Sequence, residues 1–384
     1  MLLYYKSMKK IYGWNYYIEN ILNSSEEKIK KALEEKPECY HTFEQPKKGG
    51  VRVIHGIDKT KELYHLQNNL YKNFLSRIPV SLPAKGFITG LGYQDFLRPH
   101  CGKKYYLRMD IRHFFDSITK EQVKAGLEEF VQDEPNVKNM IVQSMMDICL
   151  LNDNVPQGAV TSPALSNIIF RRIDQRILKY CQALRVIRDS SGRHEENIIY
   201  TRYADDMLFS SDFLDFRTQP RFYRKIGYIL RENGFSLNRE KVCSMEGQIV
   251  LSGFVIGEDV HLSRKKLKDL NRLLRYFDKR IQVNEDKFEV DLDKVQDEKV
   301  LEKVNQLFLH QEDGENRSLR KNFDYKISLI NYLCGYRAFL IEFLKAGPAE
   351  TAALKQIKKK IGHLELLIEA CQMIWFGITA MNED

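Results

Sequence analysis

Two adjacent carboxylates, Asp205 and Asp206, lie within an otherwise apolar segment, and their placement suggests metal-dependent chemistry. β-prone residues flank them at 198–200 and 208–209, which predicts a β-hairpin with the acidic pair at its tight turn. Two aspartates at one turn repel each other, so a cation should accompany them. Mg²⁺ is the natural candidate, because it prefers one or two carboxylates together with waters and substrate phosphates. A solvated Asp-Asp turn is the alternative for an isolated pair.

A third carboxylate, Asp110, ends a predicted strand at 105–111. Two-metal phosphoryl transfer needs carboxylates from separate segments, because one segment cannot surround both ions. One ion lowers the pKa of an attacking 3′-hydroxyl, and the other stabilises the leaving pyrophosphate. We expect Asp110 and Asp205 to bridge the two ions and Asp206 to support them. Taken alone, Asp110 would be interpreted as a solvated acid at a strand end.

Other residue types in the chain suit the recognition of a nucleotide. Phe115 could exclude a ribose 2′-hydroxyl by its shape, and core packing is the alternative. Gln157 and Gly158 combine a side-chain amide with a flexible backbone that could pack against an incoming nucleotide. Arg52 suits bidentate contact with a triphosphate, and a solvated basic loop is the alternative. Lys241 could protonate a leaving pyrophosphate, and an ordinary surface lysine is the alternative.

Length and composition restrict the class of protein. A chain of 384 residues predicts two or three packed units, and 43% hydrophobic with 29% charged residues predicts a globular chain. The net charge of +8 favours an acidic partner, nucleic acid before an anionic membrane. Seven single cysteines without a CxxC pair argue against a zinc site or a disulfide framework and favour a reducing cytoplasm. We find no apolar run that could span a bilayer, no Walker-type loop, no Ser/His/Asp set and no HExxH helix.

Hydrophobic periodicity and turn residues predict the elements that position these side chains. Residues 1–45 have a helical pattern, and further helices are expected at 58–77, 120–130, 137–151, 164–184, 222–234, 262–280, 325–344 and 351–376. Strands are expected at 105–111 and 250–256 besides the acidic hairpin, and the segment 45–54 is expected to be a basic turn that feeds a short strand. The pattern predicts an N-terminal helical extension over 1–45, a mixed α/β unit over 46–258 and a helical unit over 259–384. We interpret an acidic stretch at 284–315 as an inserted solvated loop, with a protein-partner surface as the alternative.

Taken in order, these motifs resemble those of the reverse transcriptases. The series covers about residues 45–260 and consists of Arg52-Val-Ile, Met109-Asp110-Ile-Arg-His-Phe-Phe115, Pro156-Gln157-Gly-Ala-Val-Thr-Ser-Pro163, Tyr203-Ala-Asp-Asp206 and Gly234-Phe-Ser-Leu-Asn-Arg-Glu-Lys241. The resemblance implies an α+β right-hand polymerase fold. Its parts would be fingers, a palm whose antiparallel sheet packs on helices, and an α-helical thumb from about residue 260.

The resemblance also implies roles for the site residues. Asp110, Asp205 and Asp206 would be the catalytic triad and, with Ile111, would bind two Mg²⁺ ions, for which Mn²⁺ could substitute. The residues implied to bind the nucleotide are Arg52, Phe115, Gln157, Gly158 and Lys241. Those expected to bind RNA, through a basic thumb helix and a later helix, are Lys265, Lys268, Arg272, Arg275, Tyr336 and Arg337.

Within this family the chain is similar to the bacterial retron reverse transcriptases. The segments that carry this likeness are Thr201-Arg-Tyr-Ala-Asp-Asp, Ser166-Asn167-Ile-Ile-Phe, Val250-Leu-Ser-Gly253-Phe-Val and Tyr332-Leu-Cys-Gly335-Tyr-Arg-Ala-Phe339. The likeness implies a bacterial cytoplasmic enzyme that uses dNTPs and copies part of a structured non-coding RNA into single-stranded DNA (msDNA). That DNA would start from a 2′-hydroxyl of the RNA, and the RNA–DNA hybrid would work with a protein effector in phage defence. No membrane partner is implied.

Two departures from the retron pattern leave an alternative open. The signature Asn-Ala-x-x-His is not evident, with only His100 nearby, and the Val-Thr-Gly triplet is replaced by Leu251-Ser252-Gly253. The alternative is another bacterial defence-associated or group II intron-like reverse transcriptase without 2′-hydroxyl priming. A catalytically idle RNA-binding scaffold is disfavoured, because such a scaffold has no physical need to keep three mutually repelling carboxylates.

Overall fold

The computed structural model describes residues 10–47, 50–184, 186–188, 194–279, 288–309, 323–345 and 352–378. The chain divides into two compact units, the first formed by Met1–Ile249 with Ile256–Val260 and the second by Val250–Val255 with His261–Asp384. In the described residues, helices and antiparallel sheets occur together and no parallel βαβ unit is present, which confirms the α+β class. The division into fingers, palm and thumb at residues 46, 258 and 259 stays a prediction.

Most helices lie where the apolar periodicity predicts them. They are α1 (Trp14–Tyr16, continued by a π-helical segment Tyr17–Leu22), α2 (Glu26–Glu34), α3 (Glu62–Asn73), α4 (Tyr93–Leu97), α5 (Lys120–Glu128), α6 (Pro135–Cys149), α7 (Ser162–Ala183), α8 (Pro220–Arg231), α9 (Arg264–Phe277), α10 (Leu292–Gln296), α11 (Val300–Leu309), α12 (Lys326–Lys345) and α13 (Ala352–Phe376). The strands are β1 (Tyr40–Lys47), β2 (Gly50–Ile57), β3 (Tyr105–Arg112), β4 (Val186–Arg188), β5 (His194–Glu196), β6 (Ile199–Tyr203), β7 (Asp206–Ser211), β8 (Ser236–Leu237), β9 (Cys243–Glu246), β10 (Ile249–Leu251), β11 (Phe254–Ile256) and β12 (Val260–Leu262).

The sheet that positions the acidic residues has the strand order β6-β7-β3-β8, and β9 also pairs with β3. All of these pairs are antiparallel. In β3, Leu107, Met109 and Ile111 belong to the hydrophobic core of the first unit. Because side chains alternate along a strand, Arg108 and Asp110 are turned to the opposite face. The same alternation in β7 buries Met207 and Phe209 in the core and turns Asp206 away from it.

Helices α5, α6 and α7 supply much of the core behind this sheet. Apolar residues recur at helical spacing, as at Val123 and Leu127 in α5 and Ile141 and Met145 in α6, and all four are fully buried. Burial of each such side chain contributes about 1.5–3 kcal/mol. Pro163 lies in the first turn of α7, where its missing amide hydrogen costs no helical hydrogen bond.

The predicted helical pattern over residues 1–45 is wrong from Tyr40 onward. Residues Tyr40–Lys47 form β1, which pairs with β2 from Tyr40 opposite Ile57 to Gln45 opposite Arg52. Tyr, Thr and Phe in the first half of β1 favour a strand, and the pairing partner β2 makes that preference decisive. The strand crosses the domain limit expected at residue 45, and residues 48–49 lie outside the described part.

In the second unit, two expectations need correction. The single strand expected at 250–256 is two short strands, β10 and β11, because Ser252 and Gly253 adopt left-handed φ values of 48° and 88° and turn the chain. The acidic stretch 284–315 is not a solvated loop in its described part, because α10 and α11 lie there. Buried residues in these two helices are Val295, Val300, Val304 and Phe308. Residues 284–287 and 310–315 lie outside the described part.

Helix α12 corrects a further expectation from the sequence. Its residues Lys326–Leu344 are long and apolar enough to cross a membrane, with a mean hydropathy of 1.3. A core helix satisfies the same criteria, and Leu329, Leu333 and Leu340 in α12 are fully buried. The segment is therefore weak evidence for a membrane span.

Candidate active site

The β6–β7 hairpin carries the acidic pair at its turn, as predicted. β6 ends at Tyr203, β7 begins at Asp206, and these two residues are register partners. Ala204 and Asp205 form the turn between them, with Ala204 in the left-handed region at a φ of 54°. This conformation is uncommon for a residue with a Cβ atom, so surrounding contacts must hold the turn.

Strand β3 brings Asp110 to the same turn. Asp110 is the register partner of Asp206 on β7. The amide of the next residue, Ile111, donates a hydrogen bond of 3.0 Å to the Asp205 carbonyl. The structure thus places the backbones of all three predicted aspartates side by side, although Asp110 and Asp205 are 95 residues apart in sequence.

Two basic side chains neutralise part of this acidic cluster. Lys241 Nζ donates to Asp110 Oδ2 at 2.9 Å, and Asp110 is only 3% exposed. Arg108 donates to Asp206 Oδ1 through Nε at 2.9 Å and through Nη2 at 2.7 Å. Among the described residues, no basic side chain lies within ion-pair distance of the Asp205 carboxylate. Asp205 is therefore the carboxylate that gains most from an added cation.

Burial and neighbouring charge raise the pKa of both turn carboxyls. For Asp205, burial raises the pKa most, and the negative charges of Asp206 and Asp110 raise it further. For Asp206, burial again raises the pKa, while the Arg108 guanidinium opposes the shift. The ionised carboxylates therefore cost folding free energy at neutral pH, and a bound divalent cation would recover part of that cost.

The donor set fits a hard divalent cation by its chemistry. Mg²⁺ binds carboxylate oxygens, which the three aspartates provide. Asp110 already has a positive charge beside it in the Lys241 ammonium, which shows that the position accommodates a cationic group. In the described residues, no group of three or more His, Cys, Asp or Glu side chains is arranged to hold a metal ion. This agrees with Asp110 and Asp206 being turned toward Lys241 and Arg108. The roles of Ile111 and of Mn²⁺ stay predictions.

The residues predicted to bind a nucleotide fall into two groups, and the first lies around β2. The amide of His55 donates to the Gln157 carbonyl at 2.8 Å. Gly158 has a φ of 119°, and a Cβ atom there would lie 2.7 Å from the His55 carbonyl oxygen. Only glycine allows this close approach. The contact holds Gln157 and Gly158 beside the strand that carries the exposed Arg52.

The second group, Phe115 and Lys241, lies beside the aspartates. Lys241 is in the cluster through its bond to Asp110, and its side chain is about half exposed. Phe115 is half-buried, and its ring centroid is 5.3 Å from that of Phe114 and 6.2 Å from that of Phe87. The structure therefore places Lys241 at the triad and Phe115 among the aromatic rings near the turn, while their assigned roles stay predictions.

A buried ion pair between Arg202 and Asp174, which the sequence did not reveal, supports the turn from the side of the hydrophobic core. Arg202 and Asp174 are both completely buried, and Arg202 Nη2 lies 2.9 Å from Asp174 Oδ2. Arg202 also donates through Nη1 to the Ala204 carbonyl at 3.1 Å and through Nη2 to Asn167 Oδ1 at 3.0 Å. Asn167 and Asp174 are seven residues apart and thus share one face of α7. In the sequence, the signal that could have predicted this buried contact was the presence of two polar residues seven positions apart on the core-facing side of a largely apolar helix.

A glycine packs against the other side of the turn. The segment before Phe87 lies along β6, with the Lys85 amide donating to the Arg202 carbonyl at 2.8 Å. The Gly86 carbonyl accepts from Asn167 Nδ2 at 2.9 Å. A Cβ atom on Gly86 would lie 2.8 Å from the backbone nitrogen of Ala204, closer than real Cβ atoms approach. The turn is thus held between Gly86 and the Arg202 side chain.

With this geometry described, comparison with known proteins decides the family. A family model described as reverse transcriptase (RNA-dependent DNA polymerase) matches residues 45–291. The chain belongs to the reverse transcriptase family. The motif resemblance stated above and the α+β polymerase fold are thereby confirmed.

Curated relatives of this reverse transcriptase include several retron enzymes. The retron Mx65 reverse transcriptase of Myxococcus xanthus is 30% identical over 251 residues, which cover 61% of this chain and 55% of that protein. The retron Ec86 reverse transcriptase of Escherichia coli is 26% identical over 241 residues, covering 62% of this chain and 69% of that protein. The chain thus spans about half the length of the first relative. Among solved structures, apo telomerase from Candida tropicalis aligns over 86% of this chain and 62% of its own with 12% identity and a TM-score of 0.41.

His100, the one part of the retron signature found nearby, has a structural place in this reverse transcriptase. It is completely buried, with Nδ1 2.7 Å from Ser210 Oγ and Nε2 2.8 Å from Thr201 Oγ1. Burial lowers its pKa to about 3, so the imidazole is neutral at physiological pH. It thereby joins β6 and β7 behind the turn.

The residues predicted to bind RNA differ in exposure. Lys268 and Arg275 on α9 are exposed, whereas Arg272 is half-buried. Tyr336 is 8% exposed, and its hydroxyl donates to the Lys266 carbonyl of α9. Arg337 forms an ion pair with Glu365 at 2.6 Å. Tyr336 thus packs within the second unit, and RNA binding by any of these residues stays a prediction. The Lys265 side chain lies outside the described part.

The close packing of Gly86 gives a first testable prediction. Gly86→Ala should lower the stability of the protein by about 1–3 kcal/mol, because the new methyl group meets backbone atoms that cannot move aside cheaply. Thermal unfolding measures the effect. Gly362→Ala, in α13 with open space around the glycine, is the matched control and should be neutral or stabilising. Equal melting temperatures for Gly86→Ala and the unmodified protein would contradict the close contact.

The buried ion pair gives a second prediction. Arg202→Met should destabilise the protein by about 3–5 kcal/mol, because Asp174 is left buried and unpaired. The double variant Arg202→Met with Asp174→Leu should be more stable than Arg202→Met alone, as measured by urea unfolding. Lys120→Met, which removes an exposed ion pair with Asp153, is the control and should cost less than about 1 kcal/mol. A double variant no more stable than the single one would refute this account.

The pKa shift of Asp205 gives a third prediction. Its folded-state pKa is raised above the unfolded value, so its contribution to stability is present at low pH and is lost as pH rises through the folded pKa. Mg²⁺ should therefore raise the melting temperature near neutral pH by about 2–4 °C, the shift that about 1 kcal/mol produces in a domain of this size. The Mg²⁺ effect should shrink toward pH of about 4, as protons compete for the carboxylates.

A substitution separates this site from general salt effects. Asp205→Asn should raise the metal-free melting temperature near neutral pH and remove most of the Mg²⁺-dependent shift. Asp293→Asn, at an exposed aspartate of α10, should leave both quantities unchanged. An undiminished Mg²⁺ shift in Asp205→Asn would show that the cation binds elsewhere.

Proposed function

We propose that this chain is the RNA-directed DNA polymerase of a bacterial retron. The observation that carries the proposal is the pairing of Asp110 with Asp206, beside Asp205 at the turn, in a chain that belongs to the reverse transcriptase family. Carboxylates from two strands at one turn are the arrangement that metal-assisted nucleotidyl transfer requires.

Asp110, Asp205 and Asp206 would hold the two Mg²⁺ ions. Bound there, the ions supply a lowered pKa for the primer hydroxyl and charge stabilisation for the leaving pyrophosphate. Lys241 keeps a proton on Nζ close to Asp110, from where the leaving group could take it.

The remaining nucleotide residues would bind and orient the dNTP. Arg52 offers a guanidinium for the triphosphate, and Gln157 with Gly158 fixes the neighbouring backbone against β2. Phe115 would exclude a ribose 2′-hydroxyl by its bulk.

The likeness to retron Mx65 and Ec86 reverse transcriptases supports the retron assignment. The template and primer would then be a cognate structured non-coding RNA, part of which is copied into single-stranded msDNA from a 2′-hydroxyl. The product would act with a protein effector in phage defence in the bacterial cytoplasm. The exposed basic residues Lys268 and Arg275 on α9 suit contact with the phosphates of the RNA–DNA hybrid.

A second candidate is a reverse transcriptase of another bacterial lineage that does not prime from a 2′-hydroxyl. Buried apolar residues, Phe96 and Leu97, stand four and three positions before His100, where the retron signature has Asn and Ala. His100 itself is used in the fold, between Thr201 and Ser210. The polymerase chemistry is the same in both candidates, and the priming differs.

Loss of the acidic pair tests the polymerase. Asp205→Asn combined with Asp206→Asn should abolish metal-dependent dNTP incorporation on an RNA template, because the cation loses two carboxylate ligands. The melting temperature of the double variant should not fall, since the change also removes repulsion at the turn. Undiminished incorporation by this variant would refute the site.

Nucleic acid that copurifies with the protein tests the retron assignment. After expression from the native locus, the bound nucleic acid is separated on a denaturing gel with DNase, RNase and debranching treatments. DNA whose migration changes on debranching is the expected result, because a 2′-primed product is branched from the RNA. Unbranched DNA would instead support the second candidate.

A further inference from the structure

Phe87 has an unusual backbone and an exposed ring beside the active-site turn. Its φ of 61° lies in the left-handed region, which is a true outlier for a bulky aromatic residue. Even so, the residue is 40% exposed, so the strained conformation does not serve to bury the ring. Strain of this kind persists where the surrounding structure fixes it, and it is concentrated at functional sites.

The surroundings of Phe87 show what fixes it. The preceding Gly86 is packed against the Ala204 amide, and the Gly86 carbonyl accepts from Asn167. The chain can therefore not move away from the turn, and the Phe87 ring lies beside Tyr203, the residue that ends β6. The ring centroid lies 6.2 Å from that of Phe115 and 6.2 Å from that of Tyr203.

These two neighbours belong to the two segments that carry the aspartates. Phe115 follows Asp110 by five residues, and Tyr203 precedes Asp205 by two. The ring of Phe87 thus lies near two aromatic residues with different places in the site. Phe115 is predicted to exclude a ribose 2′-hydroxyl, and Tyr203 immediately precedes the turn that carries Asp205. Neither neighbour covers it completely, since a large part of Phe87 remains in contact with solvent.

We propose that Phe87 is a nucleotide-stacking residue, whose exposed ring packs against a base or sugar ring of a nucleotide held at the triad. The proposal rests on the polymerase function proposed above. A flat aromatic surface next to bound phosphates is the usual way to hold a nucleotide without reading its sequence. The nucleotide is either the incoming dNTP or a residue of the bound template–primer, and the experiment separates these two sources.

The test compares variants that keep or remove the ring. Phe87→Tyr keeps an aromatic ring, Phe87→Leu removes it, and Phe87→Asn removes it with a residue that adopts left-handed backbone readily. Tyr228→Leu, at an exposed tyrosine of α8, is the matched control. Thermal unfolding identifies any variant that does not fold, and the asparagine variant keeps the test valid if leucine is not tolerated.

Two measurements are made on the full chain. Primer extension gives the KM for dNTPs and for rNTPs, and fluorescence of a 2-aminopurine-labelled RNA–DNA duplex gives the Kd for template–primer. Loss of the ring should raise one of these constants by about ten-fold, the size expected for one stacked base, and Phe87→Tyr should change it less than about two-fold. A raised KM for dNTPs identifies the incoming nucleotide as the partner, and a raised Kd identifies the template–primer.

Several results would overturn the stacking role. Unchanged KM and Kd in both ring-deleting variants would do so, as would an equal change in Tyr228→Leu. A change only in the preference for dNTPs over rNTPs would mean that Phe87 merely supports Phe115.

A different result would separate this proposal from the polymerase function. A chain that binds duplex through Phe87 without incorporating any nucleotide would overturn the polymerase proposal and leave the stacking role standing.

Discussion

The buried contact between Arg202 and Asp174 is the interaction on which the candidate site depends. Both groups are completely withdrawn from water, and Arg202 satisfies its donors with Asp174, Asn167 and the Ala204 carbonyl. Taking two charges out of water is costly, so the pair is retained only where its geometry is good and its remaining hydrogen bonds are made. Here the pair links α7, which carries Asp174, to the backbone of the turn that carries Asp205, because Arg202 also donates to the Ala204 carbonyl. The position of Asp205 is thus set by the core rather than by the turn itself.

Several residues of the candidate site, which lies next to this ion pair, have backbone conformations or charge states that are unfavourable by themselves. Ala204 and Phe87 both have left-handed backbones, and burial raises the pKa of Asp205 and Asp206. Each of these features opposes folding, and each lies within reach of the others around one turn. The packing of buried residues behind the turn contributes folding free energy that offsets these costs. Under the proposed function, a bound cation and nucleotide would offset the cost of the repelling carboxylates and of the exposed aromatic ring.

Local signals were sufficient to predict much of this arrangement. The strand that ends near Asp110, the hairpin around Asp205 and the helix that begins beside Pro163 are all encoded by neighbouring residues. The strand β1 was missed because the strand preference of its own residues is weak, and pairing with β2 makes it decisive. Arg202 and Asp174 lie 28 residues apart, so their pairing depends on how β6 packs on α7. Phe87 was overlooked for the same reason, since its significance comes from the distant residues Phe115 and Tyr203.

The pairing of charges around the triad indicates how the site is prepared for its substrate. Lys241 and Arg108 neutralise Asp110 and Asp206, which leaves Asp205 without an ion pair among the described residues. Under the proposed function, a cation would reach the Asp205 carboxylate without displacing a basic side chain of the described residues. A cation shared by the carboxylates would weaken the attraction of Lys241 to Asp110, and its half-exposed ammonium would then be available to phosphate. Under the proposed function, the lysine that pairs with Asp110 would in this way be the group that meets the triphosphate.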